Sequence, residues 1–178
     1  MSPGISKSGA ESCNNPKWLR RCKEGNVSEL VVGTNHVGFT VSDLQRSVSM
    51  FRDLFGYDLV SLAPREPGNV ALLTGIEGAD IMVAHLRKPG LVGVELISYL
   101  GPNDRSRLDA RPCDTGFAHL TYDVSDIGAM VEKAASFELN PLGGMIVSTA
   151  GPNVGARAVY LRDPDGISIE LIQPARFA

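Results

Sequence analysis

The sequence is poor in cysteine. Cys13, Cys22 and Cys113 are odd in number, and no two form a CxxC pair. No disulfide framework can be built from that spacing, so the thiols are expected to be free, in a reducing cytoplasm. Long apolar runs are also missing. None approaches the ~20 residues that span a bilayer, and the first fifteen residues lack the continuous apolar core of a secretory signal. Basic residues do not cluster either: 17 Lys and Arg against 20 Asp and Glu give a net charge of −3. Without a basic block to follow a phosphate backbone, nucleic acid is not an expected partner. Gly143-Gly144 and Gly151-Pro152-Asn153 have no phosphate-loop Lys and no following helix, and there is no G-x-S-x-G elbow. Cys113, in a polar stretch beside Asp114, is read as inert.

Against those absences stand 178 residues, 43% of them hydrophobic and 21% charged. That is ordinary for a soluble globular chain with ample core, and it suits one domain or two small fused modules. Residues 1–30, rich in Ser, Gly, Asn and Lys, read as a mobile extension with one short helical turn at 18–23. Beyond them the sequence repeats itself. His36-Val-Gly-Phe-Thr-Val-Ser-Asp-Leu44 is answered by His119-Leu-Thr-Tyr-Asp-Val-Ser-Asp-Ile127. Val94-Glu95-Leu96-Ile97 is answered by Ile169-Glu170-Leu171-Ile172. The first unit spans 31–102 and the second 115–178, joined by a polar linker, 103–114.

Each unit opens as a strand running into a helix. Val37, Phe39 and Val41 alternate with His36, Gly38 and Thr40; Ser42 or Asp43 then caps a helix carrying Leu44, Val48, Phe51 and Phe55 on one face. Gly56 stops it. Three strand-like stretches follow in each unit. In the first they are 58–62 with 71–73, then 80–86, then 93–100; in the second, 142–148, 156–161 and 167–173. The expected architecture is α+β, two βαβββ modules forming a curved, cup-like mixed sheet. Each sheet is expected to bury one face beneath its helix and leave the other free.

Strand parity then places the chemistry. If Val37, Phe39 and Val41 face the helix, His36 faces away; Val94 and Leu96 likewise send Glu95 to the helix-free side. The second unit turns His119 and Glu170 the same way. Two imidazoles and two carboxylates suit one divalent ion, Zn, Ni, Co, Mn or Fe, with two further positions open to a chelating substrate. Such an ion would act as a Lewis acid on a carbonyl. His85, with no partner in the repeat and beside Arg87 and Lys88, is read as structural or peripheral.

These stretches resemble the vicinal oxygen chelate superfamily, which includes glyoxalase I, methylmalonyl-CoA epimerase, extradiol dioxygenases and fosfomycin or bleomycin resistance proteins. The resemblance covers about residues 33–174. It rests on N-H-V-G-F-T-V-S-D-L-Q-R-S-V, F-R-D-L-F-G, V-E-L-I-S-Y and Y-L-R-D-P-D-G-I-S-I-E-L-I-Q. It implies metal ligands at His36, Glu95, His119 and Glu170. It also implies a proton shift beside a carbonyl or thioester through a metal-bound enediolate or enolate, with Glu170 as general base and Glu95 as its partner across the substrate. A small-molecule substrate and a homodimer are implied too. Thr40 stands where bacterial glyoxalases carry an Arg that grips glutathione, so another basic residue, Arg65 or Arg157, would have to serve. Glu66 falls loosely where epimerases have an extra acidic base, and is read as a solvated loop residue. Ring-cleaving dioxygenation is the alternative, opposed by a fourth ligand at Glu95 and by the lack of an additional acid–base His near the site. A non-catalytic binding or resistance protein is the other, opposed by the full ligand set.

Overall fold

In the computed structural model, residues 30–177 are described; the turn expected at 18–23, with Cys13 and Cys22, lies outside them. The alternating stretch after Asn35 forms strand β1 (His36–Thr40). It leads into helix α1 (Leu44–Ser49), whose N-cap Asp43 accepts from the Arg46 amide at 3.0 Å. The helix widens into a π-helical turn over Met50–Leu54 and ends at Gly56, whose φ of +72° costs glycine no Cβ clash. The first unit continues with β2 (Asp58–Pro64), α2 (Pro67–Thr74), β3 (Asp80–Arg87) and β4 (Gly93–Gly101). The second has β5 (Leu120–Asp123), α3 (Ile127–Ala135), β6 (Asn140–Pro141), β7 (Ile146–Val147), β8 (Arg157–Arg162) and β9 (Ser168–Gln173).

The strands make two mixed sheets. One has the order β1-β4-β3-β2; the other runs β5-β9-β8-β6, with β7 also on β8. In each, the opening strand lies parallel to the closing one and the remaining pairs are antiparallel. The opening strands β1 and β5 each have one neighbour and so expose an edge.

Two expected strands are corrected. Residues 71–73 belong to α2, not to a strand. Glu66 accepts from the amides of Gly68 and Asn69, Pro67 takes the first helical turn where no amide partner is needed, and Gly75 closes the helix at φ +71°. Glu66 is exposed, as expected, and also caps the helix. The stretch 142–148 is broken: β6 and β7 are two-residue pieces, with Gly143 and Gly144 between them.

One core serves both units. Val94, Leu96, Leu86 and Ala84 of the first sheet and Ile169, Leu171, Leu161 and Val159 of the second share a single buried cluster with Phe51 and Ile127. The Phe55 and Tyr122 rings stack with centroids 4.5 Å apart. The Tyr122 hydroxyl donates to that of Tyr57, which donates in turn to the Val92 carbonyl. Burial pushes the Tyr57 phenol upward, and burial with the bond to Tyr57 does the same at Tyr122, so both stay protonated donors. At the rim, Asp165 accepts from the amide and hydroxyl of Ser42 and from Arg46, tying the β8–β9 turn to the start of α1.

A second, smaller cluster was not expected. Val70 of α2 packs with Ala79, Ile81 and Val83 and touches Ile97 and Tyr99. Ile81 and Val83 share parity with His85, and Ile97 with Glu95, so α2 covers part of a face expected to be free of helix.

Module two ends its helix without glycine. Glu138 has φ +58°, the one non-glycine in that region among the described residues. Replacing it with glycine should stabilise the fold by about 0.5–1 kcal/mol, because the Cβ strain disappears. Urea titration of Glu138→Gly against the parent checks this; an unchanged or lower midpoint contradicts it.

Candidate metal centre

The registers put the repeat's polar residues in matching places. Glu95 is opposite Gly38 on β1 and His85 on β3; Glu170 is opposite Thr121 on β5 and Tyr160 on β8. His85 thus does have a counterpart, Tyr160. A search for a second histidine misses it because the chemistry differs while the strand position is the same.

His36 Nε2 lies 3.3 Å from Glu95 Oε2, and His119 Nε2 lies 3.4 Å from Glu170 Oε2. The four side chains are about one-fifth to one-third exposed. Two donors each ~2.1 Å from one ion stand roughly 3.0–3.4 Å apart at octahedral to tetrahedral angles, so either pair fits two adjacent positions on a cation. The pairs sit on different sheets. Among the described residues of one chain, no group of three or more His, Cys, Asp or Glu is arranged to hold a metal ion.

The first pair carries a further constraint. Arg87 donates to both the carbonyl and the side-chain oxygen of Asn35. Arginine can only donate, which fixes the Asn35 amide with Oδ1 towards it. That same Oδ1 lies 2.8 Å from His36 Nδ1, so Nδ1 carries a proton and donates. In the neutral ring, Nε2 then presents a lone pair to the Glu95 carboxylate. Two acceptors face each other at van der Waals range, an arrangement relieved by a proton or a cation between them. A side chain at Gly93, which lies opposite His36, would collide with the Arg87 guanidinium that holds this relay.

The second pair is held differently. Thr121 donates its hydroxyl to Glu170 Oε2 at 3.0 Å, and the Tyr160 hydroxyl lies 3.3 Å from His119 Nε2. Burial, and then the charge of Glu170, push the Tyr160 phenol upward, keeping its proton in place. Gly38, the counterpart of Thr121, offers Glu95 no such bond.

His85, expected to be peripheral, stands on the candidate face. Its Nε2 is 3.5 Å from Glu95 Oε1 and 2.7 Å from Arg65 Nη2. Since arginine donates, Nε2 accepts, and that nitrogen has no proton to give Glu95. The expectation that no further imidazole lies near the site is overturned: the β3–β4 register brings His85 there from ten residues upstream. Arg157, the other basic residue considered, is on β8 opposite Gln173. Cys113 is exposed, and no helix among the described residues is long and apolar enough to cross a membrane.

The sequence profile of the Glyoxalase/Bleomycin resistance protein/Dioxygenase superfamily matches residues 33–171. An Actinomyces 2-epi-5-epi-valiolone epimerase is 31% identical over 145 residues, covering 79% of each chain. The Arabidopsis thaliana lactoylglutathione lyase GLX1 is 25% identical over 78% of this chain, which spans only 43% of that protein. A glyoxalase family protein of Bacillus cereus superposes with a TM-score of 0.67 at 23% identity, covering 81% of this chain and 95% of that one. That last likeness concerns the fold.

The relay at His36 makes a prediction independent of any ion. In metal-free protein, long-range ¹H–¹⁵N spectra of the neutral His36 ring should show the proton on Nδ1. Asn35→Leu should release that preference and Asn35→Asp should keep it. A predominant Nε2–H tautomer in the parent protein contradicts the assignment.

Proposed function

The chain belongs to the Glyoxalase/Bleomycin resistance protein/Dioxygenase superfamily, and from that premise we propose that it is a metal-dependent isomerase or epimerase. Its reaction moves a proton on the carbon beside a carbonyl or thioester. The observation that carries this reading is the 3.3 Å approach of His36 Nε2 to Glu95 Oε2, with Asn35 and Arg87 engaging the other ring nitrogen, a geometry that fits two neighbouring ligands of one cation. The relative named as an epimerase of 2-epi-5-epi-valiolone supports the reaction class.

His36, Glu95, His119 and Glu170 would hold one divalent ion, of Ni, Co, Zn, Mn or Fe type, which when bound supplies Lewis acidity to the substrate's oxygens. The helix-side faces of both sheets are consumed by one core, and the two His–Glu pairs stay apart within a chain. We therefore place the complete set across a homodimer, the first half-site of one copy meeting the second of another at the open edges of β1 and β5. Glu170 is the general base. Thr121 and His119 engage its Oε2, so Oε1 is the oxygen that takes the proton. Glu95, to which no hydroxyl among the described residues donates, returns a proton from the opposite side. His85 and Tyr160 flank the two carboxylates.

Ring-cleaving oxygenation is a second reading, and His85 is what favours it: a third imidazole on the candidate face that could exchange a proton with a bound diol. Glu95 opposes it by filling a position that two-His, one-carboxylate iron chemistry leaves open.

Protein purified without chelator should contain about one divalent ion per chain, and His36→Ala or Glu170→Ala should lower that content steeply. Glu170→Gln should cut solvent deuterium exchange into a hemithioacetal, a methylmalonyl thioester or a cyclic hydroxyketone by at least about 100-fold. Metal-free parent protein, or full exchange by Glu170→Gln, contradicts the reading. Fe(II)-dependent oxygen uptake with catechols would replace it with the second.

A further inference from the structure

We propose that Arg65 is an anion-binding residue of this site, and that the substrate carries a carboxylate or phosphate a few bonds from its reacting carbonyl. The inference rests on the reaction proposed above and names its substrate class.

Arg65 follows β2, and its amide donates to the Ile81 carbonyl, which sets it across from β3. Ser61 lies opposite His85 and Ala63 opposite Val83, so Ser61, Ala63 and Arg65 face the same side as Glu95. Ser61 and Ala63 are small. From its end of β2 the Arg65 side chain reaches back so that Nη2 meets His85 Nε2 at 2.7 Å. The guanidinium thus ends one side chain away from Glu95, whose Oε1 is 3.5 Å from the same nitrogen of His85.

Among the described residues, no carboxylate answers this cation. The ion pairs among the described residues involve Arg46, Arg52, Arg111 and Arg162 but not Arg65. The acid next to it in sequence, Glu66, is turned to the amides of Gly68 and Asn69. Glu95 faces His36 and His85 with its two oxygens. A guanidinium has five N–H donors, and His85 accepts from one nitrogen. The rest form a planar fork suited to an oxyanion. A ligand with its carbonyl at Glu95 and its anionic group at Arg65 must be short, because only the width of His85 separates the two.

The test compares two charged probes with neutral partners of similar size: pyruvate with hydroxyacetone, and dihydroxyacetone phosphate with dihydroxyacetone. Binding to the full-length protein is followed by calorimetry or ligand-detected NMR. At least one charged probe should bind about tenfold or more tightly than its neutral partner, the gap narrowing at high salt. Which pair shows the gap tells carboxylate from phosphate. Arg65→Gln should bring the pair within about twofold without changing metal content, and Arg65→Lys should restore part of the gap, as a point charge without the fork. Equal binding within both pairs, no binding of either charged probe, or a gap that survives Arg65→Gln overturns the proposal. An Arg65-dependent gap in a protein that takes up no metal would sink the reaction reading while leaving this one standing.

Discussion

The pleat of β4 and β9 governs the molecule. Alternate residues of a strand face opposite ways, so Val94 and Leu96, like Ile169 and Leu171, can be buried only if Glu95 and Glu170 are turned out of the core. Each of those apolar side chains is fully or almost fully buried. Truncating one to Ala would typically cost 2–5 kcal/mol, far more than any orientation preference of an exposed carboxylate. The carboxylates therefore sit where the hydrophobic pattern leaves them. His36 follows by the parallel pairing of β1 with β4, and His119 stands one residue before β5, which pairs with β9 in the same way.

That constraint fixes which half of the proposed site each unit would supply, but not how the halves would meet. Both sheets give their helix-side faces to one core, with Phe55, Tyr57 and Tyr122 at its seam and Asp165 gripping Ser42 and Arg46 at the rim. The polar faces are left outside that core. The proposed dimer accords with this: a chain whose internal faces pack its own two units would bring half-sites, rather than a finished site, to a partner.

Much of this was legible in the sequence. The repeat, a helix cap at Ser42 or Asp43, the Gly56 stop and the alternation of the closing strands are local signals, and the structure shows the elements they imply, with Asp43 as the cap. The failures share a cause. The strand expected at 71–73 is a helix because Glu66 and Pro67 start one, a choice that a short apolar run cannot reveal by itself. His85 was set aside because its repeat partner is Tyr160, and only the cross-strand register shows that both flank a carboxylate. Asn35 acts through a side-chain contact with a residue fifty-two positions away. No spacing rule along the chain encodes such contacts.

Mixing two defective chains tests the shared site most directly. Protein with His36→Ala keeps its second half-site, and protein with His119→Ala keeps its first. After co-refolding, half of the dimers should be mixed, and each mixed dimer should hold one intact site and one doubly broken one. The account predicts that metal binding and proton exchange, lost in each parent, return to about one quarter of the wild-type level. No recovery in a mixture shown to contain mixed dimers would contradict it.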